Sequence, residues 1–307
     1  MATINDLRLY GTSILYDTDS NFSSNRNFRR RNVGVTSSSR CHQIEKRPSG
    51  VEWHDLASID RLGTIRECLL PVPWLILSLA LYASPAWYLG ALASFMFYLC
   101  ALRLNHEAIH NNLGLGRRGD RAVFHVLSFL MGGSNNAMAY GHLLHHKDTM
   151  GPQDFEGKAG HMSFWGVLKY GPGFILDVNR EAWRHGTRSI QRRLLIDWGL
   201  NLSLVALAVG TGWQFLLLHV VAMAGAQGLS AFFAVWITHQ GAAGHGVIAR
   251  SQRGFMARLA YLMFYHREHH LYPKVPVSRL PALAKRLDQN RDYSASRLPV
   301  IPLFDRP

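Results

Sequence analysis

The sequence predicts an all-α membrane protein: four transmembrane helices in two hairpins, with a cytoplasmic helical cap that carries clustered histidines. Three observations predict it. Two blocks, 68–102 and 198–249, contain no Lys, Arg, Asp or Glu. Each is long enough, with a few flanking residues, for two crossings of ~17–20 residues. The basic residues lie in three regions that four crossings return to one side. Eight of the sixteen histidines stand in three tight clusters, each at the edge of an apolar stretch.

Along the 307 residues, 1–50 read as a mobile polar arm rich in Ser, Asn and Arg, with the runs Arg29-Arg30-Arg31 and Thr36-Ser37-Ser38-Ser39. No apolar core marks a secretory signal, and Asp6, Asp17 and Asp19 argue against an organelle transit peptide. Residues 51–290 form one membrane domain, and 291–307 a C-terminal tail. Residues 51–67 read as an interfacial amphipathic helix. Spans are expected at 68–83, 87–104, 194–210 and 213–238, with turns at Ser84-Pro85-Ala86-Trp87 and Gly210-Thr211-Gly212-Trp213. These runs lack the polar stripe of a soluble amphipathic helix. Residues 122–140 are apolar but broken at Gly132-Gly133-Ser134-Asn135-Asn136, which reads as a helix dipping into the interface. Residues 162–190 mix Trp165, Tyr170, Phe174 and Trp183 with Lys and Arg, an interfacial pattern.

The uncharged turns and the basic arm, loop and tail place the histidine clusters and both termini on the cytoplasmic side. The net charge of +13 follows from that rule and from attraction to anionic headgroups, and offers a docking surface for an acidic electron-transfer protein. No nucleic-acid motif accompanies the charge. Cys41, Cys68 and Cys100 form no C-x-x-C pair, so neither a disulfide framework nor a thiolate metal site is implied.

The clusters are His106 and His110, then His142, His145 and His146, then His266, His269 and His270. Spacings of three and four stack side chains on one helix face. A lone histidine at a membrane edge is ordinarily a polar tip; three clusters on one face point to metal. Imidazole binds iron, copper, zinc and nickel. Eight imidazoles exceed one ion's needs and suit two. Zinc takes three or four ligands, so iron for O2 activation is favoured, with copper left open. His106-Glu107-Ala108-Ile109-His110 matches the H-E-x-x-H protease pattern, but that reading leaves both H-x-x-H-H clusters unexplained.

In order, spacing and placement, the boxes resemble those of the membrane fatty acid desaturase superfamily, the histidine-box di-iron enzymes. The resemblance covers about residues 65–290. The stretch from His266 through Leu271-Tyr272-Pro273-Lys274-Val275-Pro276 to Leu280-Pro281 resembles the acyl desaturases most. It implies two ferrous ions, O2 as co-substrate, and C–H abstraction that leaves a double bond in a fatty acyl chain. The alternative on the same scaffold is a carotenoid ketolase or hydroxylase, or a lipid hydroxylase, and Glu268 in the third box keeps it open. A non-enzymatic membrane receptor or chaperone on the same fold would be free to lose these histidines. The family also carries a further ligand after the last span, assigned here to His239, with His245 competing; Val235 stands where some members place a ligating Asn. Ligand histidines usually donate their other N–H to a neighbour; Glu107, Asp148, Asp154, Glu268 and His161 are candidates. His125, His185 and His219 read as packing or interface tips. Phe95, Met96, Tyr98, Gly225, Phe232, Phe233 and Trp236 are candidates to line a substrate tunnel. No flavin, nicotinamide, Fe–S or fused haem motif is present in the sequence, so the resemblance implies a separate electron donor, ferredoxin or cytochrome b5.

Overall fold

A computed structural model describes residues 45–302; the greater part of the polar arm, 1–44, lies outside the described residues. Among the described residues every regular element is helical. Four of the described helices are long and apolar enough to cross a membrane: Arg61–Tyr82, Trp87–Ile109, Arg188–Thr211 and Gln214–His245. Away from their charged ends they turn apolar side chains outward: Leu202, Val209 and Val221 are 71%, 68% and 67% exposed, the surface a lipid-facing helix would present.

The first span combines α1 (Arg61–Leu69) and α2 (Val72–Tyr82). Asp60 caps α1, accepting from the Gly63 N–H at 2.8 Å, which satisfies one orphan donor of the first turn. An amphipathic helix was expected over 51–67. Instead a 3₁₀ turn occupies His54–Leu56, and helix begins at Arg61, continuous with the span. The charges that seemed to delimit the apolar run do not stop it. Glu67 is buried against Arg103 of α3 (Gly90–Ile109), whose Nε donates to Glu67 Oε2 at 2.9 Å. Neutralised in this way, both residues stay inside helices, and the second span runs to Ile109 rather than 104.

Between the second and third spans, α4 (Gly116–Met131) ends at Gly132, whose φ of 63° is the left-handed stop that glycine permits. Ser134 then caps α5 (Asn135–Lys147) through the Ala137 N–H. The apolar run thus breaks at Gly132–Ser134. The break is locked by Asp197 of α7 (Arg188–Thr211), fully buried. It accepts from Ser134 Oγ at 2.7 Å and Asn136 Nδ2 at 3.0 Å, and contacts His125 Nδ1 at 2.7 Å. After α6 (Phe164–His185) and α7, the chain continues through α8 (Gln214–Gly228), a π-helical segment (Ala231–Trp236) and α9 (Ile237–His239). Shorter helices follow: α10 (Gly254–Leu259), α11 (His266–Leu271), α12 (Leu280–Leu287) and α13 (Arg291–Ala295).

One core gathers Phe97, Tyr98, Leu104, Phe124, Leu127, Met131 and Met223, holding α3, α4 and α8 together. A second, with Tyr265, Leu271, Tyr272, Val275, Leu283, Leu287 and Tyr293, packs under α11. These two cores hold the histidine-bearing helices.

Candidate metal centre

Four elements supply nine histidines. The second span ends in His106 and His110, one turn apart; α5 ends in His142, His145 and His146; α9 ends in His239; α11 opens with His266 and carries His269 and His270. At about 100° per residue, positions i and i+4 share a face while i+3 turns away from i+4. The structure uses this offset. His106, His110, His142, His146 and His269 form one group, and His145, His239, His266 and His270 another; within each, the ring nitrogens lie within 4.8 Å of one another. Helix α5 sends its i,i+4 pair to the first group and His145 to the second. Helix α11 does the reverse, sending His269 to the first.

The facing atoms are all Nε2. In the first group the contacts are His106–His269 and His269–His146 at 2.9 Å, and His146–His142 and His142–His110 at 3.1 Å. In the second they are His145–His239 at 3.0 Å, His239–His266 at 2.9 Å and His266–His270 at 3.1 Å. Such convergence of lone pairs fits a shared cation. An ion about 2.1 Å from each nitrogen, with ligands at right angles, would space neighbours about 3.0 Å apart; tetrahedral angles would spread them to about 3.4 Å. The donor set therefore fits two ions of higher coordination better than tetrahedral zinc, and imidazole suits iron.

Protonation agrees with ligation. Burial, reinforced by the neighbouring imidazoles, pushes His110, His146, His266, His269 and His270 well below the usual histidine range, so they stand neutral. Burial also lowers His145, but its hydrogen bond to Asp154 and that residue's charge outweigh it, and the net shift is upward. His145 Nδ1 lies 2.6 Å from Asp154 Oδ2, and Asp154 is itself held by the Met150 and Gly157 N–H groups at 2.8 Å. His239 Nδ1 donates to the Ile248 carbonyl at 3.0 Å. Both bonds leave Nε2 as the acceptor nitrogen facing the group.

The other candidate partners differ from the sequence expectation. Glu107 is fully buried, but its carboxylate is 3.6 Å from His106 Nδ1, too long for a hydrogen bond, and accepts from the Val277 N–H instead. Glu268 accepts from Ser251 Oγ and pairs with Arg253 at 2.8 Å, so it braces the chain behind α11. Asp148 accepts from the Gln153 N–H in a turn. His161 is exposed at the end of a 3₁₀ turn and outside both groups, as is exposed His245. His219 bonds the Leu130 carbonyl and His185 lies beside Glu181. Sequence reasoning missed Glu156, buried with a carboxylate oxygen 3.9 Å from His142 Nδ1; the only signal was a second acid two residues after Asp154. It also missed Lys274, which donates to the His110 carbonyl at 2.9 Å.

Of the tunnel candidates, Phe95 packs on Phe233 and Phe232 stacks on Trp236. Tyr98 is buried, its hydroxyl bonded to Ser230 just before the π-helical segment. Met96 is half-buried, and Gly225 is exposed.

Four membrane-length helices among the described residues, with two groups of histidines gathered from the second and fourth spans, α5 and α11, fit a class of membrane oxidoreductase. The chain matches the fatty acid desaturase family over residues 83–302 and belongs to that family. It is also similar to the β-carotene ketolase of Paracoccus sp. (strain N81106 / MBIC 01143), 26% identical over 232 residues that cover 68% of this chain and 88% of that protein.

Proposed function

We propose that the protein is a membrane di-iron enzyme that uses O2 to introduce a double bond into a fatty acyl chain. The observation that carries the metal reading is the convergence of nine Nε2 atoms into groups of five and four. His106, His110, His142, His146 and His269 would hold one iron; His145, His239, His266 and His270 the other. Bound iron would supply the power to remove hydrogen from an unactivated C–H bond. The overall reaction balances with O2, two electrons and two protons converting CH2–CH2 to CH=CH and two waters. An external donor, ferredoxin or cytochrome b5, would bring the electrons, and the chain's basic excess favours an acidic partner.

The chain's own residues prepare the site. Burial and the neighbouring imidazoles keep His110, His146, His266, His269 and His270 neutral. Asp154 and the Ile248 carbonyl fix the ring tautomers of His145 and His239. Aromatic side chains between the spans, Phe95, Phe232, Phe233 and Trp236, offer an apolar path along which a chain could lie. The spans form two hairpins with turns near 83–86 and 210–213. The histidine groups and both termini face the cytoplasm.

A second reading, carotenoid ketolation on the same centre, is favoured by the similarity to a β-carotene ketolase. One host settles the choice: cells making both fatty acids and β-carotene, expressing the protein or His145→Ala. A new unsaturated fatty acid with only the intact protein supports the acyl reading. A keto- or hydroxycarotenoid supports the second. Neither product, in iron-loaded protein with donor supplied, refutes both.

A further inference from the structure

Glu45 lies within the stretch read as a polar arm and before residue 83, where the family match begins. Its carboxylate meets two segments of the metal centre. The first is Arg267, inside the third box between His266 and His269. Arg267 is 1% exposed, and a buried guanidinium requires a counter-charge and partners for all its N–H groups. Glu45 supplies the charge, accepting from Arg267 Nη2 at 2.6 Å and Nε at 3.0 Å. The Tyr293 carbonyl, Ser296 Oγ and the Tyr293 ring complete the surroundings. The second is Ile248: its N–H donates to Glu45 Oε2 at 2.9 Å, while its carbonyl accepts from His239 Nδ1 at 3.0 Å. One carboxylate therefore braces the backbone that orients His239 and the box that presents His266 and His270. All three belong to the four-histidine group, whose remaining member, His145, is held separately by Asp154. In the five-histidine group, only His269 comes from a segment that Glu45 touches.

We propose that Glu45 is a positioning residue selective for the four-histidine metal site, so that this segment completes one half of the centre. The inference rests on the metal reading above. The physical reason is that Glu45 loss leaves Arg267 charged and unpaired beside the ligands. Arg267 and Ile248 must then shift, and with them three of four nitrogens.

The test is iron content per folded chain for the purified full-length protein and variants. Wild type is expected to hold about two ions. Glu45→Gln keeps an acceptor oxygen but loses the charge, and Glu45→Ala loses both; each is expected to hold about one. Asp55→Asn breaks a different link from the same segment, the exposed Asp55–Arg286 pair, and is expected to keep two. Combining Glu45→Ala with His145→Ala is expected to remove no more iron than either alone, because both act on one site. Two ions in Glu45→Ala, loss of both ions, or equal losses in Asp55→Asn would overturn the proposal. A wild type that binds no transition metal would instead overturn the underlying metal reading, and this inference with it.

Discussion

At the residue scale the centre is set by what lies behind each imidazole. Asp154 accepts from His145 Nδ1 and is itself tied by two backbone N–H groups, so the ring has one tautomer and one orientation. Asp154→Ala is expected to weaken iron binding at the four-histidine group by about 10–100-fold, measured by competition with a chelator; unchanged affinity would show the bond to be incidental. Acid should act on the same atoms. Five histidines outside the spans have folded values well below 6.5. The unfolded chain protonates them near 6.5 and the folded chain only at lower pH. Their contribution is thus full above about 6.5 and falls as pH drops through that value. His145 is shifted upward, so its contribution is present below 6.5 and lost as pH rises, but it stands one against five. Metal-free protein should melt at lower temperature at pH 5.5 than at pH 7.5; an equal or higher midpoint in acid would contradict this. The histidines themselves were legible in the sequence because their spacing repeats a helix face. Glu156 was not, because a carboxylate's proximity to His142 depends on how the turn after α5 folds back.

At the element scale the helices approach one another at points where side chains are absent. A Cβ on Gly171 of α6 would lie 1.7 Å from the Gly228 carbonyl oxygen at the end of α8. No rotamer relieves a clash with backbone, so Gly171→Ala is expected to cost at least the ~1–3 kcal/mol of core overpacking. A lower melting temperature in detergent would register it, and an unchanged one would show that the helices can separate. The span limits teach a related lesson. Reading charge-free blocks placed the first span at 68–83 and the second at 87–104, but the helices run Arg61–Tyr82 and Trp87–Ile109. A charge ends an apolar run in a sequence; in the fold, Glu67 and Arg103 cancel each other across two helices and both continue. The break at Gly132–Ser134 was legible because glycine and a serine cap act locally.

At the scale of the whole molecule, the second and fourth spans bring His106, His110 and His239 to the histidines of α5 and α11, and the proposed topology puts all nine on one face. Single cysteines placed at Ser84 and Thr211, in a variant without native cysteines, should be labelled from the side opposite to a cysteine at His161. Labelling of all three from one side would defeat the proposed topology. The sequence by itself determined the helical class, four candidate spans, the family and which histidines to watch. Apolar runs and i,i+4 spacing are local properties, and local properties survive without coordinates. Only the tertiary structure decided how nine histidines divide into five and four. It also decided that α5 and α11 exchange their odd members, and that Glu45 reaches the third box from 222 positions away. These depend on the rotation and approach of packed helices, which small changes in core volume alter and which no single segment encodes.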